Sequence, residues 1–249
     1  MDNDDILVGR IYSRREILGL FGVAGIALMT GCGGANSILG GGVINLLATP
    51  ALTEGPFFVD EKLNRSNVTT NTTRVSVING LPLILNLNIH RIVAGVGVPI
   101  SGAMVDIWHT DAIGKYSDIA SEGTFGQTYL RGFQNTDASG AVQFTTIYPG
   151  WYSGRAVHIH FKVRIFNANG TQAQELTSQF FFSDTLSNTV FTGTAYTGRG
   201  TRNTLNSNDG IFNTRGTDGN PVGSQLTLGL TPVTAGSGYT ANFNIGLQF

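Results

Sequence analysis

The chain has 249 residues, 41% of them hydrophobic and 12% charged, with 34 glycines and a formal net charge of -1. That length fits one large all-β domain or two small ones, and the composition excludes the highly charged, weakly apolar make-up of a disordered protein. The fifteen Lys and Arg residues do not cluster beyond the N-terminus, which argues against a nucleic acid partner, since that would need a basic stripe.

In chain order, Arg14-Arg15 stands directly ahead of an apolar run with small residues at its end. The run is too short to span a bilayer comfortably, so residues 1–31 read as a signal peptide of the twin-arginine kind. Leu28-Met29-Thr30-Gly31-Cys32 resembles a bacterial lipoprotein cleavage box. Cleavage there would make Cys32, the only cysteine, the lipidated first residue of an exported protein, periplasmic or at the cell surface and tethered to the membrane. The plainer alternative is an ordinary buried cysteine on an apolar helix. Residues 32–48 are Gly-rich and read as a tether, with the folded domain running from about Thr49 to Phe249.

Within that domain the pattern is of short strands. Leu83, Leu85, Leu87 and Ile89 alternate with Ile84, Asn86, Asn88 and His90, the period of a half-buried strand over 81–92. Ala103 to Trp108 reads as a second strand, and Gly132 to Phe144 as a hairpin about Asp137-Ala138-Ser139-Gly140. Val157 to Phe166 and Thr177 to Phe182 follow, separated by the turn at 167–170. The expected fold is all-β: an antiparallel β-sandwich with long loops and short helical turns. From about residue 186 the chain is rich in Thr, Asn and Gly, and should wrap the core as loops and edge strands.

Chemistry concentrates in Tyr148-Pro149-Gly150-Trp151-Tyr152 and the run Arg155-Ala156-Val157-His158-Ile159-His160. Residues two apart in a strand share a face, so His158 and His160 can present two imidazoles to one metal. Alone that pair is a weak signal, because histidine is also an ordinary polar core residue. Tyr152 lies just upstream, and Tyr116 ends the segment that begins at Asp106. A phenol has a pKa of about 10, so a tyrosinate at neutral pH calls for a strong Lewis acid. Iron(III) is hard and highly charged; two phenolates, two imidazoles and a hydroxide would bring its site close to neutrality.

Gly55-Pro56-Phe57, Val105 to Tyr116, Arg131 to Gly140, Thr146 to Tyr152 and Arg155 to His160 occur in this order. Together they resemble the motifs of the intradiol ring-cleavage dioxygenases, most closely the small exported branch with a protocatechuate-type core. The resemblance covers roughly residues 50–185. It implies Fe(3+) ligated by Tyr116, Tyr152, His158 and His160, with Tyr152 and His160 the axial pair. It also implies a catechol or protocatechuate-like diol and O2 as substrates, with cis,cis-muconate-type products and no organic cofactor. Arg155 matches the active-site arginine and Gln179 a glutamine beside the substrate and oxygen pocket. Thr53, Gly55, Pro56 and Phe57 match the substrate mouth, and Trp151 is a candidate aromatic wall. The gap between Tyr152 and Arg155 is shorter than in the larger enzymes of the family, which leaves the pocket wall and the substrate choice open. Asp106, Trp108, His109 and Asp111 are expected to position the Tyr116 loop, and His90, Tyr129 and Tyr148 to be structural. Two other readings remain: an iron(II) site of His158, His160 and Asp106 or Asp111, and a non-catalytic surface-binding sandwich.

Overall fold

The computed structural model describes residues 46–72, 78–234 and 237–249. The signal-peptide segment, Cys32 and the tether through residue 45 lie outside the described residues. Two sheets face each other. The first is built on β1 (Pro82–Val93), which pairs antiparallel with β5 (Ala141–Ile147) and, beyond it, β2 (Val96–Pro99). The other side of β1 carries β9 (Tyr239–Leu247), which in turn pairs with the short β8 (Leu230–Pro232). The second sheet has the order β4-β3-β6-β7, all antiparallel, with β3 at Met104–Trp108, β4 at Arg131–Asn135, β6 at His158–Phe166 and β7 at Gln172–Phe181.

The alternation read from the sequence decides what lies between the sheets. Leu83, Leu85, Leu87 and Ile89 of β1 are fully buried and pack with Val105 and Ile107 of β3, Ile159, Phe161 and Val163 of β6, and Phe180 of β7. On the outer face of the first sheet the alternate positions carry amides, with Asn86 Nδ2 donating to Asn242 Oδ1 at 2.9 Å and Asn88 Nδ2 to Asn244 Oδ1 at 3.1 Å. The outer face of the second sheet is covered rather than solvated. Residues 50–63 cross one part of it, where Lys162 pairs with Glu54 and Arg164 bonds both Asp60, at 3.2 Å, and Asp106, at 2.7 Å. The C-terminal segment covers the rest with a second apolar cluster of Leu52, Ala156, Phe181, Ile211, Val222 and Leu226.

The architecture is the expected all-β sandwich, with two differences in detail. The turn at 137–140 forms, with Gly140 N donating to Asp137 O at 3.0 Å, but its arms are not a hairpin. β4 pairs with β3 in one sheet and β5 with β1 in the other. A turn signal reports local backbone geometry, whereas the partner of each arm is chosen by tertiary packing. The second difference is β9, which lies inside the first sheet, parallel to β1 along 83–91, rather than on an edge. Parallel neighbours need a long crossover, and here almost the whole domain serves as one. The expected short helical turns include α1 (Asp184–Val190) and α2 (Val222–Gln225) in the C-terminal segment; α1 is capped by Ser183, whose hydroxyl accepts from Leu186 N.

Phe161 is fully buried and stacks on Phe180 with centroids 4.2 Å apart. Phe161→Ala should lower the unfolding free energy by about 3–5 kcal/mol, read from urea denaturation at unchanged slope; a loss under about 1 kcal/mol would contradict this packing.

Candidate metal centre

The strand alternation that sends Ile159 and Phe161 into the core turns His158 and His160 to the outer face of the second sheet. Both are buried, at 4% and 1% exposure. His158 Nδ1 faces the Ala156 carbonyl at 2.7 Å, which makes Nδ1 the protonated nitrogen and leaves the lone pair on Nε2. That Nε2 lies 3.0 Å from His160 Nε2, 3.2 Å from the Tyr116 hydroxyl and 3.4 Å from the Tyr152 hydroxyl. His160 is held differently, its ring lying flat against Trp108 at 4.8 Å and 6°, across from it in register on β3. Burial pushes the His158 imidazole down to about 3 and that of His160 well below its ordinary value, with nearby Arg155 lowering both further. Both rings are therefore neutral, with lone pairs available to a ligand.

The two tyrosines arrive on loops that are tied to each other. Tyr116 ends a turn built by Asp111, whose Oδ1 accepts from Ile113 N at 3.0 Å and Lys115 N at 2.9 Å. Its own backbone N–H donates to Glu122 Oε2 at 2.6 Å, and its carbonyl accepts from the Thr124 hydroxyl at 2.6 Å. Gly150, two residues before Tyr152, donates to Asp111 O at 3.0 Å and accepts from the Thr110 hydroxyl at 2.8 Å. A Cβ at Gly150 would lie 2.4 Å from Asp111 O, so glycine is required for the loops to touch. Arg199, from the C-terminal segment, donates to the Trp151 carbonyl and lies over the Trp151 ring at 4.7 Å.

Three donor atoms, His160 Nε2 and the two phenolic oxygens, thus stand 3.0, 3.2 and 3.4 Å from the fourth, His158 Nε2. Donors spaced so are the edges of a coordination shell with bonds of about 2 Å. Among the described residues no three His, Cys, Asp or Glu side chains converge, so an ion here depends on the phenols. Asp106 is engaged by Arg164 and Asp111 by its own turn, so neither completes a two-histidine, one-carboxylate site. Asp106 also does not support the Tyr116 loop, contrary to expectation. Its place on the outer face puts it in the ion-pair row with Arg164, and burial raises its carboxyl to about 6. His109 instead links Thr110 O, at 2.8 Å from Nδ1, to Thr146 Oγ1, at 2.6 Å from Nε2. Tyr129 and Tyr148 lie in the core.

The remaining candidates surround these donors. Phe57 stacks on Tyr116 at 4.5 Å and meets Tyr152 edge-on at 6.3 Å. Its backbone is fixed by Arg131, which donates to Phe57 O at 2.6 Å and to Ser117 O at 2.7 Å. Gly55, with φ of +69°, turns the chain after Thr53, whose hydroxyl accepts from Gly55 N at 3.2 Å, and Pro56 is exposed. Gln179 lies opposite His160 on β7 and donates to Thr53 O at 2.9 Å. Arg155 donates through Nη2 to Gln179 Oε1 at 2.5 Å and through Nε to Asp209 Oδ2 at 2.9 Å. Arg131, Asp209 and Arg199 were not singled out from the sequence. Arg131 stood within a recognised motif, whereas no local signal marks the other two.

Comparison with known proteins bears on the fold and the family. A family model described as Dioxygenase matches residues 53–205. Catechol 1,2-dioxygenase 1 of Acinetobacter lwoffii is 30% identical over 151 residues, 53% of this chain and 45% of that protein; the match therefore spans less than half of the relative's length. Among solved structures, an intradiol ring-cleavage dioxygenase from Tetranychus urticae is 28% identical with a TM-score of 0.66, covering 82% of this chain and 95% of the other. The 3-chlorocatechol 1,2-dioxygenase of Rhodococcus opacus 1CP, 20% identical with a TM-score of 0.54 over 80% of this chain and 72% of the other, shares the fold.

Burial of His109 lowers its imidazole from 6.5 to about 4. Below pH 6.5 the unfolded chain takes up a proton that the folded chain refuses, so this contribution to stability is lost as pH falls toward 4. The stability advantage of wild type over His109→Gln should shrink by about 3 kcal/mol between pH 7 and pH 4. A pH-independent difference in urea denaturation would contradict the neutral, buried state.

Proposed function

We propose that this chain, which belongs to the intradiol ring-cleavage dioxygenase family, binds iron(III) through Tyr116, Tyr152, His158 and His160 and cleaves catechol-type rings between their hydroxyl carbons with O2. The family makes it an oxidoreductase; the metal and the substrate are the further step. The observation that carries them is the gathering of two phenols and a second neutral imidazole within 3.4 Å of His158 Nε2, all within the matched segment. Hard anionic oxygen donors suit a hard trivalent ion, and their charges offset its burial. The name of the A. lwoffii relative favours catechol itself or a near analogue.

Iron(III) at this site would act as a Lewis acid and template, drawing electron density from a chelated diol so that its ring becomes open to dioxygen. The residues of the chain do the rest. The bond from His158 Nδ1 to Ala156 O leaves Nε2 as the nitrogen that would bind a metal, the role that partners of ligating histidines play. Stacking on Trp108 fixes the plane of the His160 ring. Tyr152 is half-buried whereas Tyr116 is 1% exposed, so Tyr152 is the phenol an incoming diol would reach first and the one that would accept its proton. Arg155 supplies a fixed cation for negative charge developing on the ring. Phe57, stacked on Tyr116, and the backbone of 53–56 form the wall toward which that ring is directed.

The N-terminal sequence adds a location. Arg14-Arg15, the apolar run and the box before Cys32 support export and a lipid tether. Intact-mass analysis of the mature protein should find Cys32 first and acylated; a mature chain that retains residues 1–31 would refute this.

The purified chain loaded with iron(III) should show a broad visible tyrosinate band that moves to longer wavelength with catechol under anaerobic conditions. Tyr152→Phe should alter or abolish the band and lower kcat by about 100-fold or more, the scale of losing a group that acts in the transition state. A protein that stays colourless after iron loading would remove both tyrosines from the metal.

A further inference from the structure

We infer that Asp209, four residues beyond the end of the family match at residue 205, is the positioning residue for Arg155: its carboxylate fixes the plane in which the guanidinium is presented to the substrate ring. The inference rests on the reading of Arg155 as the group that stabilises charge on that ring.

An arginine side chain has several rotatable bonds, and a guanidinium on a flexible stem stabilises developing charge poorly unless something holds it in place. Here Nε donates to Asp209 Oδ2 at 2.9 Å and Nη2 to Gln179 Oε1 at 2.5 Å. Two fixed points on a planar group leave it no rotation about its stem. Gln179 is fixed in turn by β7 and by Thr53 O. Asp209 is fixed by its own loop. Its Oδ1 accepts from Phe212 N at 2.8 Å, and its carbonyl accepts from Asn213 Nδ2 at 2.8 Å.

The same Oδ2 that holds Arg155 accepts from Ala156 N at 2.6 Å, and the Ala156 carbonyl orients His158. One carboxylate oxygen therefore holds both the Arg155 side chain and the peptide N–H that follows it. Asp209 is fully buried and Arg155 is 5% exposed, so each charge depends on the other. Burial alone would raise the Asp209 carboxyl, but Arg155 and the amides of Phe212 and Ala156 outweigh it and keep the group ionised. An Asn at this position cannot substitute. Its single oxygen can face Arg155 and Ala156 or face Phe212 N, and either way an N–H is turned against a donor.

The test compares full-length, iron-loaded wild type with Asp209→Asn, Arg155→Ala and the double variant. Asp209→Asn should lower kcat for catechol by about 10–100-fold with KM changed less than about threefold, because a displaced arginine weakens the transition state rather than binding. Its visible tyrosinate band should match wild type. In the Arg155→Ala background the same substitution should cost less than about twofold, since its effect passes through the missing arginine. An unchanged kcat, or an equal loss in both backgrounds, overturns the inference. Should Asp209→Asn fold poorly, Asp209→Glu keeps the charge but displaces it by one methylene. It should give the same loss of kcat at unchanged KM, and full activity in that variant also overturns the inference. An independent readout uses the metal-free chain, in which the Arg155 Nε–H signal in 15N NMR should exchange with solvent at least about tenfold faster in Asp209→Asn. Unchanged exchange overturns the clamp. That measurement needs neither iron nor catechol, so a wild type that fails to bind iron or cleave catechol would defeat the functional reading separately.

Discussion

The alternation of β6 is the constraint on which the rest of the molecule depends. Ile159, Phe161 and Val163 fill the space between the sheets, and this obliges His158, His160, Lys162 and Arg164 to share the opposite face. Four basic or nitrogen-bearing side chains in a row cannot be left against an apolar cover, so the covering segments bring partners. Glu54, Asp60 and Asp106 neutralise the Lys162 and Arg164 end, while the histidine end is closed by two phenols. A sheet face that would ordinarily be solvated becomes a second interior, polar at one end and suited to a metal at the other.

That second interior works because its parts are held by backbone as much as by side chains. The loops carrying Tyr116 and Tyr152 are joined through Gly150, Asp111 and Thr110, so the phenols keep their spacing before any ion is bound. His158 is oriented by a carbonyl and His160 by an indole ring. Burial keeps both imidazoles neutral, the state in which they can ligate. A site preorganised in this way spends little conformational freedom when its ligand arrives.

The C-terminal segment gives the core its closure and the site its outer wall. β9 runs parallel to β1 and completes the first sheet, while Ile211, Val222 and Leu226 cover Phe181 on the far side of the second. Between these, Asp209 and Arg199 reach the two sides of the candidate site, one at Arg155 and the other at Trp151. Trp151, expected to wall the pocket, has its ring beneath Arg199 and packs against the core.

The sequence by itself determined the fold class, which rests on short-range periodicity, and it named the candidate donors, the histidines by spacing and the tyrosines by motif resemblance. Alternation over 83–89 and 158–163 assigns each side chain to a face, and the spacing of His158 from His160 places two nitrogens together. Tyr116 and Tyr152 were legible through motifs whose turns and glycines are local. What the sequence left open is which distant pieces meet. Whether the arms of the 137–140 turn share a sheet, whether β9 lies at an edge or inside, and what holds Arg155 depend on contacts between residues far apart along the chain. Asp209 is 54 positions from its partner and sits in a stretch of Asn, Thr and Gly without periodicity, so nothing nearby marks it. Only the tertiary structure decided those pairings, because the burial that makes an isolated carboxylate seek a cation exists only once the chain has folded.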